Sequence, residues 1–282
     1  MMYITEMKKI KHRNIRSQAI THAIIVFLVF FSLFPLILTF YDSFKSYNDY
    51  SVNMWLPSIP IRLYNYGEAF RKLWPFMFTT IIVALIGGGG MLFISSIASY
   101  AIGKIRFKGS NFCYTIVMGL MMLPGVLTLI PQFNLYKSLG LVDTYWALVF
   151  PIWSNGCLMS IFLLVTFMRA LPKEIFEAAK IDGASEFKQY YRIAVPLSAP
   201  TIGTCAIIQI VAIWNDYLWP RTIQTDTNMY TIPQGILYTY QNYANTPEMY
   251  AGYIIAALPL LILFVFANKF YIEGLTGGAV KM

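Results

Sequence analysis

The sequence predicts an all-α polytopic membrane protein with six transmembrane helices. Three observations lead there. Of the 282 residues, 57% are hydrophobic and 12% charged, whereas a soluble domain carries nearer a quarter charged. The apolar residues gather into runs of about 20, the length that crosses ~30 Å of hydrocarbon. Lysine and arginine are concentrated in alternate connecting segments, as the positive-inside tendency requires.

In order along the chain, residues 1–19 form a basic segment in which Lys8, Lys9, Lys11, Arg13 and Arg16 face a single acid, Glu6. Such a cluster orients the span that follows and is also suited to anionic membrane lipid. The apolar run 19–41 lacks a small-residue cleavage site after it, so it is read as an uncleaved first span. Residues 42–75 are a mixed loop rich in Tyr and Trp, with Pro57 and Pro60, expected outside and partly at the interface. The second span, 76–102, contains Gly87, Gly88, Gly89 and Gly90. In a membrane, small residues let helices approach closely, and this reading is preferred to a flexible point for gating. A short basic loop with Lys104, Arg106 and Lys108 follows.

The third span, 112–133, carries Pro124 and Pro131, each of which interrupts the helical hydrogen-bond ladder. After a short loop, the fourth span occupies 144–168. The fifth, 199–218, ends in Trp-Asn-Asp-Tyr-Leu-Trp-Pro, where Asp216 reads as an interfacial cap in an aromatic belt. A polar loop, 221–249, leads to the sixth span, 250–270, with Pro259 inside. The domain organisation is therefore an N-terminal segment 1–19, a six-helix membrane domain 20–270, and a tail 271–282. With both termini in the cytoplasm, only Lys45, Arg62, Arg71, Lys72, Lys137 and Arg221 of the 21 Lys and Arg fall outside. The inverse orientation would place the remaining majority there.

The segment between the fourth and fifth spans is of a different kind. Residues 169–200 carry Arg169, Lys173, Glu174, Glu177, Lys180, Asp182, Glu186, Lys188 and Arg192. At roughly 2.5–3.5 kcal/mol per charge at a bilayer centre, these nine would cost on the order of 25 kcal/mol there. The segment must lie in water. Its pattern predicts two short helices at a sharp angle within 169–196. Pro172 suits a first helical turn, and Glu174 and Glu177 suit the positive end of the helix dipole. Gly183 is placed to end the first helix in the left-handed conformation, and Ser185 to cap the second. Phe187, Tyr190, Tyr191 and Ala194 recur at the spacing of one buried face, and Pro196 stops that helix.

These residues also carry a resemblance. Glu177, Ala178 and Ala179, then Gly183, then Ile193 to Pro196, resemble the "EAA" signature of membrane subunits of bacterial ABC importers, with Val195 where that family usually has Leu. The run EAAKIDGAS and the C-terminal run FYIEGLTGGAVK are similar to the carbohydrate-uptake branch, in particular the maltose-type second permease. The resemblance covers nearly the whole chain. It implies the type I importer permease fold, with a cytoplasmic coupling helix that docks on a separate ATPase through Glu177, Ala178, Ala179, Asp182 and Gly183. It further implies a C-terminal tail that reaches the ATPase pair through Gly277, Gly278 and Lys281. The expected location is the bacterial inner membrane. The expected partners are a second homologous permease subunit, two ATPase subunits that hold ATP and Mg, and an extracytoplasmic solute-binding protein delivering a sugar.

Other classes fit less well. The chain lacks a Gly-x-x-x-x-Gly-Lys-Ser/Thr phosphate loop, so nucleotide hydrolysis is expected on another polypeptide and the chain is not expected to be an enzyme. Cys113, Cys157 and Cys205 sit singly in apolar runs, and His12 and His22 have no ligand-like spacing, so no metal or catalytic site is expected. The net charge of +8 is dispersed beside the spans rather than gathered for nucleic acid. An ATP-independent secondary transporter or channel is the alternative. It calls for ionisable residues deep in the spans and for internal repeats, and Asp216 is the nearest candidate. For the substrate pathway the sequence offers aromatic rings and amides in spans four and five: Trp153, Asn155, Gln209, Trp214 and Asn215. Each of them also suits helix-to-helix packing.

Overall fold

The computed structural model describes residues 2–277 apart from 242 and 244, with side chains described for 18 and 20–267 of that stretch. Among the described residues there is no strand. Four helices are by themselves long and apolar enough to cross a membrane, and the count is six when each of two sharply bent helix pairs is taken as one span.

Helix α1 (Met2–Asp42) contains the first span, Ile20–Asp42. It is followed by the short α2 (Tyr47–Val52), capped by Ser46. Helix α3 (Tyr64–Ile105) is 42 residues long, about 63 Å at the α-helical rise and twice the hydrocarbon thickness. It begins well before residue 76, where hydropathy alone starts the span. Hydropathy marks the part of a helix that lies in lipid, not its end, and Glu68, Ala69, Arg71, Lys72 and Leu73 are all good helix formers.

The third span is broken into α4 (Ser110–Met121) and α5 (Gly125–Ser138), which meet at 98°. The break falls at Pro124, whose ψ of 123° is extended, and not at Pro131, which is carried inside α5. Pro124 lacks an amide for the ladder and pushes Leu123 out of the helical region. Helix α6 (Tyr145–Ala170) begins where Thr144 caps it and matches the predicted fourth span closely. The charged segment forms α7 (Lys173–Ile181) and α8 (Glu186–Leu197). The latter meets α9 (Ala199–Asn215) at 72°. The stretch expected to be loop contains two more helices, α10 (Leu218–Ile223) and α11 (Ile232–Tyr240). The second is started by a capping box between Thr231 and Gln234, a local signal that hydropathy does not see. The last helix is α12 (Thr246–Gly277).

The chain divides into two compact units, Met1–Phe70 with Tyr243–Ile255, and Arg71–Asn242 with Ala256–Met282. In the first unit, a buried ion pair closes the end of α1. Lys45 Nζ lies 2.8 Å from Asp42 Oδ1, and both side chains are almost wholly buried. The ammonium also donates to Tyr41 Oη (2.7 Å) and Asn53 O (2.8 Å). Burial alone would lower the Lys45 pKa, but the bonds and charges of Asp42 and Tyr41 outweigh it, and the value is raised. Asn65 completes the knot by donating to the carbonyls of Ser43 and Lys45 at 2.8 and 2.9 Å.

In the second unit, α3 packs on α6 at close range. A Cβ on Gly87 would stand 2.7 Å from Ile152 Cδ1, and one on Gly90 2.2 Å from Trp153 Nε1. The indole leaves no room for a side chain at Gly90, the Ile152 methyl at Gly87 could shift, and Gly89 has open space around it. Met91, Ile102, Cys157, Ile161 and Val165 form the apolar seam between the two helices. Beyond the other end of the seam, Asp143 holds a left-handed backbone (φ 58°). It accepts from the amides of Thr225 and Asp226 at 2.5 and 3.0 Å and from the Thr225 hydroxyl at 2.6 Å. Partial burial would raise its pKa, but these three donors win and hold the carboxyl below its ordinary value.

Two outcomes follow. Lys45→Met leaves Asp42 buried without a counter-charge and should cost ~3–5 kcal/mol. Thermal unfolding in detergent should show this, with most of the loss recovered in the Asp42→Asn/Lys45→Met double variant. The Asp143 contribution has the sign of a depressed carboxyl. It is complete above the unfolded-state pKa and is lost as pH falls through the lower folded value. Asp143→Asn should therefore melt about 2–4 °C lower than the parent near neutrality for each ~1 kcal/mol lost, and the gap should close in strong acid.

Candidate functional site

The hairpin of α7 and α8 is built as its sequence requires. Gly183 has φ of +76°. Its amide bonds to Lys180 O at 3.1 Å, and that of Ala184 to Ala179 O at 2.9 Å, the paired closure of a left-handed helix end. Ser185 Oγ then accepts from the Lys188 amide. Glu177, Ala178, Asp182 and Gly183 are exposed and Ala179 is half-buried. Among the described residues, Lys173, Glu177, Lys180 and Asp182 have no ion-pair partner. The predicted single buried face on α8 is not what forms. Tyr190 and Ala194 are buried, but Phe187 and Tyr191 are 70% and 45% exposed. A π-helical turn at Tyr190–Ala194 changes the spacing beyond Tyr190, while Phe187, one turn earlier, faces away from the cluster that buries Tyr190. Phe187 and Tyr191 instead pair with one another on the outside, ring centroids 5.6 Å apart.

The other side of the hairpin is fastened to the spans. Tyr100 of α3, Met168 of α6, and Tyr190 and Ala194 of α8 form one buried cluster, with Phe176 of α7 packed against it. The rings of Tyr100 and Tyr190 are 5.4 Å apart, and those of Tyr100 and Phe176 6.5 Å. The Tyr190 hydroxyl is 2.7 Å from Ser96 Oγ, and the Tyr100 hydroxyl donates to Glu186 Oε2 at 3.1 Å. Lys104 donates to Leu171 O at 2.8 Å and lies 4.6 Å above the Phe176 ring. Both helices of the hairpin are thus joined to the same end of α3. Sequence reasoning missed Ser96, Tyr100 and Lys104 because their partners are about 70 to 95 residues away and no local spacing reports them.

A cavity of about 530 Å³ opens among α5, α6, α9 and α10. Its polar wall includes Thr128, Gln132, Asn155, Gln209, Asn215 and Asp216. Among the described residues no lysine or arginine lines it. Three of the five pathway candidates, Asn155, Gln209 and Asn215, are brought together here. Gly156 leaves the room in which the Gln209 amide lies, since a Cβ there would be 2.9 Å from Gln209 Oε1. Trp153 and Trp214 are placed in packing. Trp153 donates to Ile86 O at 3.2 Å and covers Gly90. Trp214 is buried and donates to Ala256 O at 2.9 Å. Asp216 terminates α9 and accepts from the Trp219 amide at 3.4 Å, so it caps α10 while facing the cavity. Gln132 was not singled out from sequence, although it is an amide beside Pro131 in a largely apolar run. Of the tail residues, Gly277 ends α12, and Gly278 and Lys281 lie outside the described residues.

Comparison with known proteins agrees with this architecture. Residues 90–275 match the family described as binding-protein-dependent transport system inner membrane component. The chain is 30% identical over 263 residues to the arabinooligosaccharides transport system permease protein AraQ of Halalkalibacterium halodurans, covering 90% of this chain and 93% of that one. It is 34% identical over 204 residues to the trehalose/maltose transport system permease protein MalG of Thermococcus litoralis, covering 72% and 73%. With the melibiose/raffinose/stachyose import permease protein MelC of Bacillus subtilis, identity is 28% over 279 residues, covering 98% and 100%. The fold is similar to a chain in the crystal structure of a bacterial ABC transporter that imports the acidic polysaccharide alginate. The TM-score there is 0.80 at 21% identity, covering 91% of this chain and 97% of that one.

The aromatic joint gives a graded expectation. Tyr190→Phe loses only the bond to Ser96, worth about 0.5–1.5 kcal/mol. Tyr190→Ala also empties the cluster and should cost roughly 3–5 kcal/mol. Hydrogen exchange over 173–189 should rise slightly in the first variant and strongly in the second, with the core of α3 and α6 unchanged.

Proposed function

This chain belongs to the family of binding-protein-dependent transport system inner membrane components, and we propose that it forms half of the membrane pathway of an ATP-driven sugar importer. The observation that carries the reading is the exposed hairpin bearing Glu177, Ala178, Ala179, Asp182 and Gly183, fastened to the span that borders the cavity wall. The hairpin faces the cytoplasm, as do both termini. It docks on a separate ATPase subunit, which holds ATP and Mg. Two such ATPases, a second permease of the same family and an extracytoplasmic solute-binding protein complete the assembly.

In this mechanism ATP closes the ATPase pair, which then carries the hairpin with it. The small side chains of Ala178 and Ala179 let the docking surface approach closely. Glu177 and Asp182, without an ion-pair partner among the described residues, supply charge to basic groups opposite. Movement passes through Phe176, Tyr190 and Tyr100 into α3 and through Met168 into α6. Those helices carry Val83 and Asn155, on two walls of the cavity. The cavity then alternates its opening between the two sides. ATP drives this only to the extent that it binds one state better than the other. Amides and hydroxyls with apolar surface between them suit the alternating polar and apolar faces of a sugar, and the names of the relatives point to saccharides. The tail that ends in Gly277, Gly278 and Lys281 is assigned a second contact with the ATPase pair.

The test is coupling. Gly183→Val places a branched side chain at φ of +76°, a conformation that costs an L-residue roughly 1–2 kcal/mol and disfavours the bend. In the reconstituted importer, ATP hydrolysis stimulated by sugar-loaded binding protein should fall about tenfold or more, with the membrane level of the chain unchanged. Full stimulation in that variant would reject the coupling role of the hairpin.

A further inference from the structure

A second cavity, of about 430 Å³, lies on the hairpin side and is lined by Arg106, Phe107, Gly109, Ser110, Asn111 and Arg169. We propose that it binds the phosphate of an anionic phospholipid headgroup. Depth is the first argument. The span in α3 ends at Ile105, α4 begins at Ser110, and α6 ends at Ala170. Three span ends meet at one level, so the cavity sits where hydrocarbon gives way to headgroups.

Charge is the second argument. Two guanidiniums line the cavity and no carboxylate does. Among the described residues, neither arginine has an ion-pair partner. Each is nevertheless held. Arg169 Nη2 donates to Asn111 Oδ1 at 3.0 Å, and its guanidinium lies 4.7 Å above the Tyr114 ring. Arg106 Nε donates to Gly103 O at 3.2 Å from a left-handed backbone with φ of 51°. One bond fixes each fork and leaves its remaining N–H groups to the cavity. Two tethered forks around one space match the geometry of a phosphate, and little side-chain entropy remains to be lost on binding. Gly109, at φ of 94°, provides no side-chain cap for α4. The first-turn amides of Asn111 and Phe112 have no acceptor among the described residues, and they add donors of the same sign.

The third argument selects a lipid over free phosphate. Phe112 and Ile116 are 69% and 45% exposed. They stand four residues apart on α4, so they form one apolar track leading from the cavity into the hydrocarbon. A headgroup phosphate in the cavity would have its acyl chain on that track.

The experiment uses the full chain with the subunits that copurify, in neutral detergent, titrated with phosphatidylglycerol or phosphatidylcholine and read by native mass spectrometry. One phosphatidylglycerol should be retained with about tenfold preference. Arg106→Gln/Arg169→Gln should reduce it to the phosphatidylcholine level, whereas Lys188→Gln/Arg192→Gln, an equal loss of charge on the hairpin, should leave it unchanged. An equal loss in both double variants means diffuse charge and overturns the site. Retention of inorganic phosphate adducts that both arginines are needed for, with no preference for phosphatidylglycerol over phosphatidylcholine, assigns the cavity to a free anion and overturns the lipid. If the glutamine variant cannot be recovered, Arg106→Lys/Arg169→Lys reads the same site by keeping charge without the forks. A several-fold loss of preference there supports the proposal, and full retention overturns it.

Discussion

A segment too polar for hydrocarbon has to be joined rigidly to helices that live in it, and the joint is made of aromatic rings with their hydroxyls satisfied. Tyr100, Phe176 and Tyr190 bury their faces together, while Ser96 and Glu186 take up the two phenol groups. A purely apolar contact could slide. A purely polar one at the membrane surface would compete with water and be weak. The combination fixes both position and orientation, because displacing either ring would leave a buried hydroxyl unpaired. Everything proposed about the hairpin as a lever rests on that joint, since a loosely attached hairpin would move without moving α3.

The same principle of satisfied polarity recurs at other places in the two units. Asp42 and Lys45 are charges at the end of a span, tolerated because each is the partner of the other and Tyr41 and Asn53 complete the ammonium's bonds. Asp143 sustains a left-handed backbone because three donors converge on its carboxylate. The first cavity is the counter-example. Its amides line open space, with Asn215 also donating to Val211 O at 2.8 Å, an arrangement that a packed interior avoids. Its polar residues come from α5, α6 and α9 together, so no single helix could make it.

Close packing between α3 and α6 sets the remaining geometry. Gly87 and Gly90 bring the backbone of α3 against Ile152 and Trp153. This draws Trp153 out of the cavity and into the seam, and leaves Asn155 on the open side. The π-helical turn at Ile152–Gly156 lies at the same level. Residues two apart on a helix point to nearly opposite sides, which is how Trp153 serves packing and Asn155 the cavity.

The sequence by itself determined the class of protein and its all-helical build from apolar runs long enough to cross a membrane, and it marked residues 169–200 as too charged for hydrocarbon. These depend on transfer free energies that add along the chain and need no partner. It also determined the turn at Gly183 and the cap at Ser185, because both are local backbone requirements. Tertiary structure decided the rest. That Trp153 and Trp214 pack while Asn155, Gln209 and Asn215 share a cavity depends on which helix faces which, and an indole in an apolar run has the same letters in either role. That Tyr190 is buried and Phe187 exposed depends on where Tyr100 and Met168 stand, which no periodicity announces. The break at Pro124 but not Pro131, and the meeting of Arg106 with Arg169, were likewise settled by long-range packing. Contacts between residues distant in sequence leave no pattern within it.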